Sequence, residues 1–260
     1  MDSIGMTSSS PGIYFFLCLV VSLTAMALAE SPEVVDPEAL MTAGHWSEAV
    51  ATAQTMVKEE PSDAMGWYFL GRALFEQGRP DDLGDAVSHL SRAVSLEPEL
   101  APAWFWLGRA SGQLAGSGGL VERMHLAGRS RKAFARALEL DPENFEFAYA
   151  LVQFYLRAPS MVGGGSGKAE DVIERFVGRR PAEKLLLEAS ASLAGNDDER
   201  VVSLLSEVGD MDDRVIRRIW KEIALQLGRR QLSVQFWDAA VSTYRLIIAR
   251  LPDLPGGYLG

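Results

Sequence analysis

The apolar residues of this 260-residue chain fall into two regimes. Near the start, Ile13 to Leu28 form one uncharged run, IYFFLCLVVSLTAMAL. Beyond it, apolar residues recur three and four apart, as in Leu185, Leu186, Leu187 and Leu193, then Val201, Val202, Leu204 and Leu205. That spacing puts one apolar stripe along each of a series of amphipathic helices. The helical stretches are punctuated by Pro61, Pro98, Pro142, Pro181 and Pro252. Twelve residues before each proline stands a small residue: Ala49, Ala86, Ser130, Ala169 and Ala240. Proline cannot continue a helical ladder, and a small side chain lets two helices approach closely. The phase predicts a helix pair, repeated along the chain.

A second mark runs in step with the first. Trp67-x-x-Leu70-Gly71 opens one unit, Trp104-x-x-Leu107-Gly108 the next, and Ala224-x-x-Leu227-Gly228 the last. Gly44-x-Trp46-x-x-Ala49 matches the turn and second helix of a first unit, with Asp36 and Pro37 suited to its N-cap and first helical position. With the helix-B residues Leu90, Ala93, Phe134, Ala137 and Tyr244, this resembles the tetratricopeptide repeat family. The resemblance implies an all-α fold, a right-handed superhelical solenoid of antiparallel helix pairs with about five to six units. It also implies a binding scaffold rather than a catalyst. Most of the matching residues are then packing residues, because a lone helix pair cannot bury its apolar face and stacked neighbours can.

Against the ~34-residue period of that family, three units carry insertions at the turn between their helices. About three extra residues lie around Arg79 to Asp82, about ten span Gly112 to His125, and about five lie around Pro159 to Gly167. The fifth unit, Ala182 to Gly209, lacks the Trp-Leu-Gly mark and is expected to be a shortened pair. No polar capping helix follows the last unit, which suggests an end covered by a partner or by a second copy of the chain.

The first apolar run changes the picture of location. It is short for a membrane span, and Ala27-Leu28-Ala29 has the small-x-small form of a signal cleavage site. The domain organisation expected is a signal peptide or anchor at 1–29, a linker at 30–35 and the repeat domain at 36–257. The chain would be secreted or periplasmic, with cleavage after Ala29 and no membrane association unless the segment is retained. The only cysteine, Cys18, lies in that run.

Charge narrows the partners. The net charge is −10, opposite to what phosphate neutralisation requires, so nucleic acid is not expected. Gly163-Gly164-Gly165-Ser166-Gly167-Lys168 invites a phosphate-loop reading but has Val162 where the first glycine belongs and Ala169 where Ser or Thr belongs. It reads as a turn. His45, His89 and His125 lie in separate units without a second ligand at a metal-binding offset. The acidic pairs sit at helix ends, where they complement helix dipoles. Neither cofactor nor metal is expected, and no catalytic residue stands out.

What remains is the inner wall, which in this architecture is lined by the first helix of each pair. The positions one and five residues after the Trp slot, and one turn beyond, give Tyr68 and Arg72, Phe105 and Arg109, then Tyr149, Gln153 and Arg157, with Leu225 and Arg229 last. Stacking would set an aromatic column beside an arginine column. Arginine pairs with carboxylates in a bidentate manner, so the expected partner is an extended protein or peptide segment with an acidic group or a free carboxylate. The arrangement resembles the carboxylate clamp of some tetratricopeptide co-chaperones, without the Lys and Asn of that clamp. Two alternatives stay open: a small-molecule-binding component of an uptake system, which predicts a closed apolar pocket beside the long insertion, and a membrane-anchored assembly factor, which predicts that Cys18 persists.

Overall fold

A computed structural model describes residues 36–209 and 211–252. The apolar run Ile13–Leu28, the cleavage after Ala29, the linker at 30–35, Cys18 and the last residues of the expected domain, 253–257, lie outside the described residues. The described residues form helices joined by short turns, with no strand among them. The helices pair in sequence as α1 (Pro37–Thr42) with α2 (Trp46–Glu59), α3 (Ala64–Gln77) with α4 (Leu83–Leu96), and α5 (Ala101–Leu114) with α6 (Leu120–Leu140). Then come α7 (Phe145–Arg157) with α8 (Ser166–Arg175), α9 (Pro181–Ala194) with α10 (Asp198–Glu207), and α11 (Arg214–Ser233) with α12 (Trp237–Arg250). This is the expected all-α array of stacked antiparallel pairs.

Local chemistry explains the helix starts. Asp36, Asp63 and Asn144 cap α1, α3 and α7, each accepting a hydrogen bond from a backbone N–H of the first turn. Pro37 occupies the first position of α1, as its fixed φ favours. The two sequence marks meet physically: Trp67 Nε1 donates to the Pro61 carbonyl and Trp104 Nε1 to the Pro98 carbonyl, both at 2.9 Å. Each Trp thus ties its helix to the turn that precedes it. The glycines of the Leu-Gly pairs mark close approach. A Cβ on Gly71 would meet Leu90 Cγ at 2.6 Å, and one on Gly108 would meet the Phe134 ring at 2.5 Å. In the third pair the small residue also bonds, Ser130 Oγ donating to the Gly108 carbonyl at 2.8 Å.

Three departures from the repeat are informative. The ten-residue insertion is mostly helix: Gly119 caps α6, and the strong helix formers after it extend that helix to 21 residues. Pro181 is not a helix terminator like the other four prolines; it sits at the first position of α9, while α8 has already ended at Arg175. And α11 starts at Arg214, well before the Ala224 slot. Its early turns bury Ile216, Ile219 and Trp220, which fill the space left by the short α10.

Besides a small cluster of Met41, Ala49 and Ala73 at its start, two large apolar cores run along the array and share α7. One joins α2 to α7 around Phe75, Leu90, Leu107 and Phe147. The other joins α7 to α12 around Leu186, Leu204, Trp220 and Ile247. The start of α11 is anchored by Asp213, which accepts from Val215 N at 2.8 Å and Ile216 N at 3.0 Å and pairs with Arg180 Nη2 at 2.9 Å. The Ile216 N–H and then the Arg180 guanidinium hold its carboxyl below the usual range, against some burial. A depressed carboxylate stabilises the fold above its unfolded pKa of about 3.9 and loses that contribution as pH falls through the folded value. Asp213→Ala is therefore expected to cost about 1 kcal/mol at pH 7, with the gap to the parent closing below about pH 4 in urea titrations.

Candidate functional site

The inner wall is built from α5, α7 and α11, and it is not a plain column. Curvature brings α11 back onto α7, past the single pair between them. Arg218 Nη2 on α11 lies 2.5 Å from Glu146 Oε1 on α7. One step along, the signs reverse: Arg157 Nη2 on α7 lies 3.7 Å from Glu222 Oε1 on α11 and donates to Gln226 Oε1 at 3.3 Å. Between these pairs and α5 lies a cavity of about 520 Å³. Phe105, Phe134, Ala150, Phe154 and Val162 make its apolar wall, Gly112 and Ala115 border it on the insertion side, and Arg109, Tyr149, Gln153, Arg157, Arg218, Glu146 and Glu222 supply its polar atoms.

The sequence-derived residues divide. Phe105, Arg109, Tyr149, Gln153 and Arg157 converge on this cavity. Tyr68 and Arg72 do not line it. Arg72 Nη1 is held by Glu38 Oε2 at 2.5 Å and by the Tyr68 hydroxyl at 3.1 Å, and its guanidinium lies over Trp106 at 4.9 Å. The Arg109 guanidinium also lies over Trp106, 4.4 Å from its centroid, and 4.9 Å from the Phe75 centroid, with Glu76 at 4.0 Å. Burial lowers its pKa, and Glu76 opposes that. The aromatic column is floor rather than display: Tyr68, Phe105 and Tyr149 are all under a tenth exposed. Arg157 is different, since its side chain is 60% exposed and held only by the long contacts to Glu222 and Gln226. Arg229 borders a separate hollow with Gln226 and Arg230, and Leu225 packs against the core.

One polar atom at the cavity is unmatched. The Tyr149 hydroxyl is buried and makes no hydrogen bond of normal geometry. Burial, and next the neighbouring Glu222 carboxylate, push its pKa up, so it stays a proton donor. The rim carries three guanidiniums, Arg109, Arg157 and Arg218, against the carboxylates of Glu146 and Glu222. That leaves one positive charge in excess inside a chain of net charge −10. Glu146, Arg218 and Glu222 escaped the sequence reading because they precede the slot positions of their helices. Only the i, i+4 register of Arg218 and Glu222 hinted that they share a face.

The glycine-rich segment is a turn. Ser160–Val162 form a short 3-10 helix, Gly163 and Gly165 take positive φ, and Gly165 N donates to the Tyr155 carbonyl at 2.8 Å. A Cβ on Gly164 would lie 1.7 Å from the Ala158 carbonyl oxygen. Lys168 Nζ donates to the Gly163 carbonyl at 2.9 Å, so its ammonium closes the turn. Among the described residues no group of three His, Cys, Asp or Glu side chains is placed to hold a metal, and no helix is long and apolar enough to cross a membrane.

Stacked antiparallel pairs with an inner wall of first helices define a helical-repeat scaffold. Residues 38–82 match the tetratricopeptide repeat family model. It is similar in fold to TTC0263, a thermophilic tetratricopeptide protein of Thermus thermophilus, at 16% identity and a TM-score of 0.56 over 73% of this chain and 95% of that one. It is also similar to a chain of the APC/C hetero-tetramer Cut9-Hcn1, at 13% identity and a TM-score of 0.57. There the match covers 89% of this chain but 43% of the other, so this chain spans less than half of that protein. Comparison with curated proteins returns no match. The likeness to these solved structures is one of fold.

Proposed function

We propose that this chain is an exported tetratricopeptide scaffold that holds an extended, acidic peptide segment along its inner wall, centred on the cavity between α5, α7 and α11. The supporting observation is the rim: three guanidiniums over two carboxylates, with Arg157 exposed, in an otherwise acidic chain. Guanidinium and carboxylate pair well where water is partly excluded. The cavity opens along the groove, which suits a length of chain better than an enclosed small molecule. It does border Gly112 and Ala115 of the insertion, as a small-molecule site would.

Arg72 and Arg109 are poor test positions, because both are stacked and ion-paired inside the scaffold. The test is a double change, Arg157→Ala with Gln153→Ala, both on the groove side of α7. Fluorescence anisotropy against a pool of random acidic peptides should show binding to the parent and at least tenfold weaker binding to the variant. Equal binding by both, or none by the parent, rejects the reading. Export is tested separately by the intact mass of the chain recovered outside the cytoplasm, which should begin at Glu30.

The far end of the array supports a second contact. Phe236, Trp237, Val241 and Ile248 are exposed on the last unit, α12 and the turn before it. Among the described residues the first unit exposes Thr42, Ser47, Glu48 and Thr55 instead. A second copy of the same face would complement it, as in a closed two-fold pair. Light scattering should give a dimer mass for the parent and a monomer for Trp237→Ser with Ile248→Ser; a parental monomer at high concentration would remove this contact.

A further inference from the structure

The cavity under the arginine rim is more than a widening of the groove. Its void arises from small residues on three elements: Gly112 and Ala115 at the end of α5, Ala127 on α6 and Ala150 on α7. Medium-sized side chains at those positions would fill it. Its lining is mainly apolar, and its volume of about 520 Å³ falls within the ~300–1,000 Å³ of ligand pockets. Against the apolar wall water finds few partners, so an apolar group there displaces it favourably.

Two polar features restrict what that group is attached to. The Tyr149 hydroxyl, on a residue 7% exposed, makes no hydrogen bond of normal geometry, although the Glu222 carboxylate lies near it. A backbone carbonyl of a bound segment would give it a well-aligned acceptor, and a hydrocarbon alone would not. Above it, Arg218 is committed to Glu146 at 2.5 Å and Arg109 to its aromatic stack. Arg157 alone on this rim is both well exposed and loosely paired, its carboxylate partner 3.7 Å away. A carboxylate one or two residues from the buried group would reach it.

From this geometry we infer that the cavity is an anchor pocket selecting a bulky apolar side chain that neighbours an acidic residue in the bound segment. The inference rests on the peptide-binding reading above and narrows it: the acidic residue supplies orientation, and the apolar residue supplies most of the selectivity. Buried anchors in well-packed pockets dominate interface affinity, whereas rim charges chiefly guide and orient.

The test is selection from a phage-displayed library of random 12-residue peptides on the purified full chain. Enriched sequences should carry Phe, Trp, Leu or Met within two positions of Asp or Glu. The best such peptide, made synthetically, should bind at least tenfold more weakly when its apolar residue becomes Ala. It should also bind at least tenfold more weakly to Ala150→Trp, which fills the pocket from α7, and to Ala127→Trp, which fills it from α6. Parental circular dichroism of either variant establishes that its fold is intact, and one folded variant suffices. Tyr149→Phe, which removes only the unmatched hydroxyl, should weaken binding severalfold without lowering the melting temperature. Acidic sequences enriched without an apolar neighbour, or undiminished binding to a folded pocket-filling variant, overturn the anchor pocket and leave the acidic-peptide reading standing. No enrichment of acidic sequences overturns both.

Discussion

Trp220→Ala is expected to lower the unfolding free energy by about 3–5 kcal/mol, the range for emptying a fully enclosed aromatic site. The indole is 0% exposed, among Ile216, Ile219, Ile223, Leu204 and Leu205. Its Nε1 donates to the Leu205 carbonyl at 2.9 Å. Truncation opens a void and strips a buried carbonyl of its partner, and the two penalties add. The loss should also be uneven along the chain. In a solenoid each unit is stabilised by its neighbours, so damage spreads locally before it spreads globally. Trp220 belongs to the core that joins α7 to α12, and the core of α2 to α7 meets it only through α7 and a few flanking residues. Amide hydrogen exchange should therefore quicken in α9 to α12 while α3 to α6 keep parental protection. Uniform quickening, or a loss under about 1 kcal/mol, would mean that the two cores unfold as one or that the site collapses onto the void.

The same residue shows where the sequence was readable and where it was not. Trp67 and Trp104 announce themselves because a Leu-Gly pair follows each at fixed spacing and a proline precedes each, and the structure joins Trp and proline by a hydrogen bond. Trp220 keeps none of those neighbours. Its role arises from a tertiary accident, the shortness of α10, which the longer α11 fills. The insertion after Gly112 looks like a loop because Gly116, Gly118 and Gly119 dominate its first half, yet the residues after Gly119 continue α6 once its C-terminal half is anchored on α5. The site was legible to a similar degree. Phase alone placed Phe105, Arg109, Tyr149, Gln153 and Arg157 on one wall. It could not foresee that Glu38 would neutralise Arg72 from another unit, nor that α11 would curl back to bring Arg218 and Glu222 to α7. Pairing between distant units depends on superhelical curvature, which no local pattern encodes.

The joints between paired helices give the second large effect, and it has an internal control of opposite sign. Replacing a mid-helix glycine by alanine ordinarily gains up to about 1 kcal/mol, since the unfolded chain loses freedom and the helix is favoured. A Cβ on Gly128 in α6 would have nothing within 4 Å, so Gly128→Ala should stabilise by roughly that amount. Gly71 in α3 is equally helical, but there a Cβ would lie 2.6 Å from Leu90 Cγ and 3.0 Å from both Ala86 O and Leu90 N. Leu90 is 0% exposed and has no free space to retreat into. The two backbone atoms move only if α4 moves. Gly71→Ala is therefore expected to destabilise by about 1–3 kcal/mol, the cost of overpacking a tight core, in spite of its better helix propensity. Urea unfolding of both variants reads the contrast directly. If Gly71→Ala matched Gly128→Ala in sign, close approach at the Leu-Gly step would not be what holds α3 and α4 together.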